Sequence, residues 1–415
     1  MTGPMTRTGA AVAAAAFMNL LISGSAASGA DWPRWLGPSQ NGTTSADGAL
    51  SKASLKLRKA WRHAIGGGRG GVVIAEGRLF ALTTDGETQQ ALALDAQSGK
   101  VLWQVPLGPH VERALAPVST PAVEGSRVFV LGTDCILRAL ATATGERVWQ
   151  ADLKQRFGSV LNRGCETSPF VENGRVVLQP GGVDDHRLVA LDARTGDLVW
   201  SAKGAERSNY SSPVAAEFGG VRQAVVHHVT ATPPQRSGLT GFRLTDGAML
   251  WSRTFEGNVS TETPLVLPGE RVLLLTWNDA KMARLKREGE RVEVEPLWTK
   301  AVLRSRISPP VHKDGHIYGF ESDDLVCVRA DTGDVVWKHR TYAGSLILVD
   351  DALVVLSANA GVLRVVEATP AGYRERAQIE VLNRGAQTET PPSFAAGMIF
   401  VRNDEEIVAI AVSPS

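Results

Sequence analysis

The chain has 415 residues, 43% hydrophobic and 21% charged, with 42 Gly and 21 Pro, and its 44 Lys and Arg nearly cancel its 43 Asp and Glu. This composition excludes a disordered or fibrous chain. The neutral balance excludes a nucleic-acid surface spread over the whole molecule, which would need an excess of cations to displace counterions. Length alone suggests two or three domains at ~150 residues each, unless a repeat is present.

Met1 to Ala30 carries one charge, Arg7, then an apolar run from Ala10 to Ile22, then small residues ending at Ala30. This is the order of a secretory signal peptide, with cleavage expected near Ala30. The run is too short to span a bilayer, and no later segment is long enough, so no membrane span is expected. With no Cys in the leader to take a lipid, the cleaved protein is expected to be soluble, in the periplasm or outside the cell. Residues 31–51 form a lead-in rich in Trp, Pro and Gly, and 52–415 form one domain. Cys135, Cys165 and Cys327 are odd in number and widely spaced. That excludes a disulfide scaffold and favours isolated apolar cysteines in strands, with a single disulfide as the alternative.

From Trp61 onward, seven of the ten Trp recur about 46 residues apart, close to the ~45-residue propeller period. They are Trp61, Trp103, Trp149, Trp200, Trp251, Trp298 and Trp337. Four close a common segment, in which Asp95 and Gly99 precede Trp103, Gly145 precedes Trp149, Asp192 and Gly196 precede Trp200, and Gly333 precedes Trp337. A degenerate fifth copy joins Gly247 to Trp251. The Asp carboxylate can close a turn on backbone N–H groups, the Gly supplies a positive φ, and the strand that follows ends on a ring with one N–H to satisfy.

A second signature alternates with the first. Thr120-Pro121, Ser168-Pro169, Ser212-Pro213, Thr263-Pro264, Ser308-Pro309 and Thr390-Pro391 each open an apolar strand, a tight turn and a second strand. Two copies without Pro start near Gly71 and Ser345. Pro fits only the first position of such a strand, where no ladder N–H is lost. The two signatures together make a four-stranded antiparallel unit, and Lys52 to Ser415 has room for eight. Ala360 to Gln378 is a weak copy that has lost its Trp. Leu55 to Trp61 has a Trp strand with no opening half, and Pro392 to Val412 has the opening half with no Trp strand. The two ends are expected to complete one blade of an all-β, eight-bladed β-propeller.

The segment Ala93-Leu-Asp95-Ala-Gln-Ser-Gly99-Lys-Val-Leu-Trp103 resembles the tryptophan-docking repeat of the PQQ-like propeller family. That family includes quinoprotein dehydrogenases and the propeller lipoprotein of the outer-membrane barrel-assembly machinery. Trp32-Pro-Arg-Trp35-Leu-Gly-Pro38 looks like the lead-in of secreted PQQ-like propellers. The resemblance implies a ring in which the Ala, Gly and Trp of each motif lock neighbouring blades. It also raises a PQQ-dependent dehydrogenase of alcohols or sugars as the alternative function. Such enzymes hold PQQ over the ring axis between a Trp and an adjacent-cysteine disulfide, beside Ca²⁺. This chain has no Cys-Cys pair, and Trp277, outside the ring series, follows an apolar strand and reads as core or blade edge. Neither PQQ nor another cofactor is therefore expected, and no catalytic or metal residues are assigned.

His312 and His316 have zinc-helix spacing but flank an Asp314-Gly315 turn. Gly66 to Gly71 imitates a phosphate loop but precedes a strand, and reads as a flexible inter-blade loop. Asp184, Asp185 and His186 read as turn residues, like Asp134, Asp323, Asp324 and Asp404 in other repeats.

The residues just before each Ser/Thr-Pro lie on the crossing between blades and are expected to form a funnel at one mouth of the ring. They are Arg69, Arg113, Arg163 with Glu166, Asn209 with Tyr210, Glu262, Arg304 with Arg306, and Arg384 with Glu389. Loops on a rigid scaffold carry function, and Arg and Tyr are favoured in binding. The expected role is a binding or scaffold module, monomeric, for a protein, peptide or glycan of the cell envelope, with no nucleic-acid partner.

Overall fold

The computed structural model describes residues 1, 3, 31–111, 117–159, 165–181, 186–204, 207–208, 211–230, 233–257, 262–289, 291–304, 308–358, 360–386 and 388–414. Apart from Met1 and Gly3, the expected leader therefore lies outside the described residues. Among those described, no helix is long and apolar enough to cross a membrane.

Eight four-stranded antiparallel blades follow one another around a ring, seven of them built from strands consecutive in the chain, with the first innermost. Blade 1 comprises Val73–Ala75, Arg78–Thr84, Thr88–Asp95 and Val101–Pro109, the last carrying Trp103 on the outer edge. Blades 2 to 7 repeat the pattern. Blade 8 takes Ser393–Ala395, Met398–Arg402 and Glu406–Pro414 from the C-terminal end and its outer strand, Leu55–Ala64, from the N-terminal end. Trp61 lies opposite Ala409 across that closing ladder. Both the blade count and the shared blade agree with the sequence.

The apolar core lies in the seams between blades. Phe80, Leu82, Ala93 and Trp103 of blade 1 pack with Val128, Val130 and Leu140 of blade 2, and similar clusters fill the other seams. The tryptophans finish each seam through one repeated bond. Trp103 donates its indole N–H to the Thr142 carbonyl in the next blade (2.9 Å), as Trp61 does to Ala96, Trp149 to Ala193, Trp200 to Leu244, Trp298 to Ala330 and Trp337 to Thr369. The glycine of each receiving turn is required twice over. Gly145 has φ +73°, and a Cβ there would stand 2.8 Å from the Trp103 ring. In blade 7 the Trp position is Ala377, opposite Val365. Blade 8 has a chain break where the receiving turn would be, so a ring there would have nothing to dock on.

Three expectations need correction. Cys135 and Cys165 form a disulfide, leaving Cys327 free and buried. The bond ties the turn before Ile136–Ala141 of blade 2 to the crossing segment that follows the short helix Leu153–Phe157. The pairing is non-local, and a 30-residue spacing carries no local signature. Trp277 is neither core nor blade edge: it sits on the turn after Arg271–Leu275 and is 48% exposed. Gly66 to Gly71 is a packed loop, not a flexible one, because it wraps the fully buried Arg402. That guanidinium donates to the carbonyls of Gly68 (2.7 Å), Leu82 (3.0 Å) and Gly70 (3.1 Å), and a Cβ on Gly68 would lie 2.4 Å from Nη2.

Candidate binding mouth

Antiparallel order puts the two ends of the ring to different uses. At one end, the loop mouth, lie the crossings between blades and the turns joining second to third strands. At the other, the turn mouth, lie the turns joining first to second strands and the Asp/Gly turns that receive the tryptophans.

The lead-in runs along the axis between these ends. Asp31 accepts from the Glu76 N–H at the turn mouth (3.3 Å), and Trp32 pairs in both directions with Ile74 of blade 1. Pro33 accepts from Val123 of blade 2, Gln40 bonds Pro213 and Ala215 of blade 4, and the Trp35 indole donates to Thr263 of blade 5 (3.1 Å). Arg34 feels the carboxylates of Glu172 and Glu124, but burial still holds its pKa below the usual guanidinium value. Thr43–Thr44 then adds a parallel strand to Gly344–Val349 of blade 7. Trp32, Leu36 and Leu50 are buried. The lead-in thus fills the axis and binds the inner edges of the ring.

Above it, the Ser and Thr of the Ser/Thr-Pro signature stitch successive blades together. Gly71 N–H donates to the Thr120 hydroxyl (2.7 Å), Thr120 N–H to the Ser168 hydroxyl (2.9 Å) and Ser168 N–H to the Ser212 hydroxyl (2.8 Å). These residues hold up the loop mouth. Their recurrence follows from this bonding as well as from strand entry.

The structure joins some of the funnel residues and separates others. Arg69 reaches Glu389 across the seam of blades 8 and 1 (3.1 Å), while its backbone N–H donates to the Pro117 carbonyl. Arg304 grips Glu321 of blade 6 through Nε (2.6 Å) and backbone N–H. Arg384 turns outward to Glu380 (2.6 Å) and is 72% exposed. Glu166, partly exposed, adjoins the disulfide at Cys165. Glu262 is largely withdrawn from solvent, and burial pushes its carboxyl up to about 7. Its carbonyl accepts from His227 Nδ1 (3.0 Å) and the Ser211 hydroxyl (3.1 Å). Arg113, Arg163, Asn209, Tyr210 and Arg306 lie outside the described residues.

Two residues missed in the sequence belong to this mouth: Trp277, and Tyr342 on the crossing between blades 6 and 7, 52% exposed with the Arg340 guanidinium 5.7 Å from its ring centroid. An aromatic on a polar turn outside the Trp period is the signal that marks each. The two histidines here are internal props. His227 Nε2 bonds Ser237 and His228 Nδ1 bonds Thr240, and burial lowers their pKa values to about 4 and about 3. Such neutral, inward-facing imidazoles are poorly placed to exchange protons with a bound substrate. The mouth therefore offers ion-paired arginines and exposed aromatics on a rigid rim, a surface suited to recognition.

The family model described as "Outer membrane protein assembly factor BamB" matches residues 46–162, 154–339 and 219–413. The outer membrane protein assembly factor BamB of Moranella endobia is 22% identical over 306 residues, covering 70% of each chain. The solved structure of BamB from Moraxella catarrhalis superposes with a TM-score of 0.59 at 13% identity, covering 86% of this chain and 98% of that one. A quinohemoprotein alcohol dehydrogenase from Pseudomonas putida HK5 superposes with a TM-score of 0.63 at 11% identity, covering 93% and 80%.

Proposed function

For a chain that belongs to the BamB outer membrane protein assembly factor family, we propose a non-catalytic role: an exported module that binds a protein of the cell envelope through its loop mouth. The observation that carries this reading is the division of labour along the axis. The lead-in fills the centre of the ring, so what the molecule presents at the loop mouth is a rim, with Arg69, Arg304, Arg384, Trp277 and Tyr342 on rigidly stitched crossings. Large aromatic and guanidinium groups on a preorganised surface are the usual anchors of protein recognition. Relatives named as assembly factors support a protein as the partner in preference to a peptide or glycan.

The dehydrogenase reading draws on the shared fold, but the residues do not suit PQQ with calcium. The disulfide joins residues 30 apart, one on blade 2 and one on the crossing that follows it, and cannot stack as an adjacent-cysteine ring, and the lead-in bearing Trp32 and Trp35 is bonded to the inner strand of blade 1 and to Thr263 at the entry of blade 5. Among the described residues no three His, Cys, Asp or Glu side chains converge to hold a metal ion.

A photo-crosslinking residue placed at Arg384 and, separately, at Glu76 on the opposite mouth tests the proposal in intact cells. A discrete protein adduct from position 384 is expected, with or without one from position 76, on a protein whose N-terminus is Asp31. Adducts from position 76 alone, or dye reduction by purified protein given PQQ, calcium and an alcohol, would overturn it.

A further inference from the structure

One seam of the ring departs from the rest. Blade 5 has no Asp/Gly turn between its third and fourth strands. It has instead the long hairpin of Ala280–Glu288 and Arg291–Lys300. Trp251 of blade 4 therefore has no receiving turn and bonds Gln223 of its own blade (2.8 Å). The space that a docking turn occupies elsewhere stays open as a cleft of about 320 Å³ at the turn mouth.

The lining of this cleft is specific. Phe218, Leu285 and Val292 make its apolar wall, and Met249, 58% exposed, stands at the rim. Arg243 and Arg287 flank it. Arg243 shares one nitrogen with Asp246 (2.8 Å), and Arg287 uses Nε and Nη1 on the carbonyls of Gly289 and Gly219, leaving Nη2 without a partner among the described residues. Glu270, a carboxylate in the lining, accepts from the Gly219 N–H (2.8 Å). The Arg243 charge is thus already met by Asp246, and Arg287 Nη2 is the donor that the rim holds over the apolar floor.

We propose that this cleft is a second docking site, for a turn of a partner protein that places a Phe- or Leu-sized side chain next to a carboxylate. The other seams indicate the shape of the occupant. What fills the equivalent place there is a tight polypeptide turn, with acids such as Asp95 or Asp192 closing it on backbone N–H groups. The partner supplies here what blade 5 lacks. Arg287 Nη2 pairs with its carboxylate, and the cleft removes one apolar side chain from water. The site lies at the opposite end of the ring from the loop mouth and stands independently of the function proposed there.

Met249 provides the readout, since only six methionines occur in the chain and this one sits on the rim. The full protein, labelled with ¹³C at its Met methyl groups, is titrated to millimolar concentration with acetyl-Gly-Asp-Phe-Asp-Gly-amide and with the same peptide carrying Lys in place of Asp. A saturable shift of the Met249 methyl by the acidic peptide alone is expected. Binding should weaken about tenfold in Arg287→Glu and vanish in Val292→Trp, which fills the cleft. The buried Met282 and Met398 methyls report whether each variant is folded, and if Val292→Trp is not, Arg287→Glu decides. No shift at Met249, equal response to the Lys peptide, or undiminished binding in the folded variants would overturn the proposal.

Discussion

Trp251 donates its indole N–H to Gln223 of its own blade at 2.8 Å, whereas Trp200, one blade earlier, donates to Leu244 of the next at 3.1 Å. The two tryptophans are equivalent in the repeat and satisfy the same buried donor by different routes. Gln223 should therefore matter where a glutamine in a strand ordinarily would not. Gln223→Leu strands the indole N–H and is expected to cost about 1–3 kcal/mol in urea unfolding. Trp251→Phe, which removes the donor, combined with Gln223→Leu should recover part of the loss.

Arg402 is the second position where one side chain organises a whole loop. Burial lowers its pKa to about 10, yet the group stays cationic at neutral pH while its carbonyl partners close the Gly-rich crossing. Arg402→Met orphans several buried carbonyls at once, and a loss of about 3 kcal/mol or more is expected. Protease cutting between Gly66 and Gly71 should appear in that variant before global unfolding does.

Much of the architecture was legible because its chemistry is local. Asp95, Gly99 and Trp103 lie within nine positions, so turn, strand and ring could be read together and their period counted. What stayed hidden depends on distant partners. Nothing near Trp35 points to Thr263, and nothing near Cys135 points to Cys165. An arginine in an otherwise apolar strand, such as Arg402, looks like a solvent-facing residue until Gly68 and Gly70 are seen folded over it. Of the funnel, the sequence placed the crossings at one mouth, but it could not tell that Arg69 is held by Glu389 while Arg384 faces outward.

The disulfide encloses about 30 residues, so in the chain-entropy picture it contributes about 3–4 kcal/mol by restricting the unfolded state. Cys165→Ser should lower the unfolding midpoint accordingly, and reduction of the native protein should reproduce the effect. Burial raises the Cys327 thiol to about 11. A thiol reagent at neutral pH should accordingly find no reactive group in the oxidised native protein and one after denaturation.

Three groups withdrawn from solvent near the loop mouth contribute opposing pH dependences. His227 and His228 take up protons more readily in the unfolded chain, from pH 6.5 downward, so stability drains as pH falls towards about 4 and about 3. Glu262 works in the opposite sense. The folded protein keeps a proton that the unfolded chain releases near pH 4.5, so stability falls as pH rises from there through about 7. Glu262→Gln should raise the urea midpoint above pH 7, change it little below pH 4.5, and steepen the acid limb between. An unchanged pH profile would show that Glu262 ionises freely in the native state.

The shared blade also dictates a timetable. Leu55–Ala64 has no ladder partner until Glu406–Pro414 has been made, and the lead-in has no complete wall to settle against until the seventh blade is in place. The outer strand of blade 8 must therefore wait for nearly the whole of the chain that follows it. Long-range pairing of this kind slows folding and leaves strand edges open in the interval. A protein whose first-made blade strand is the last blade strand to be paired gains a quality check from its own topology, because the ring cannot close without Glu406–Pro414.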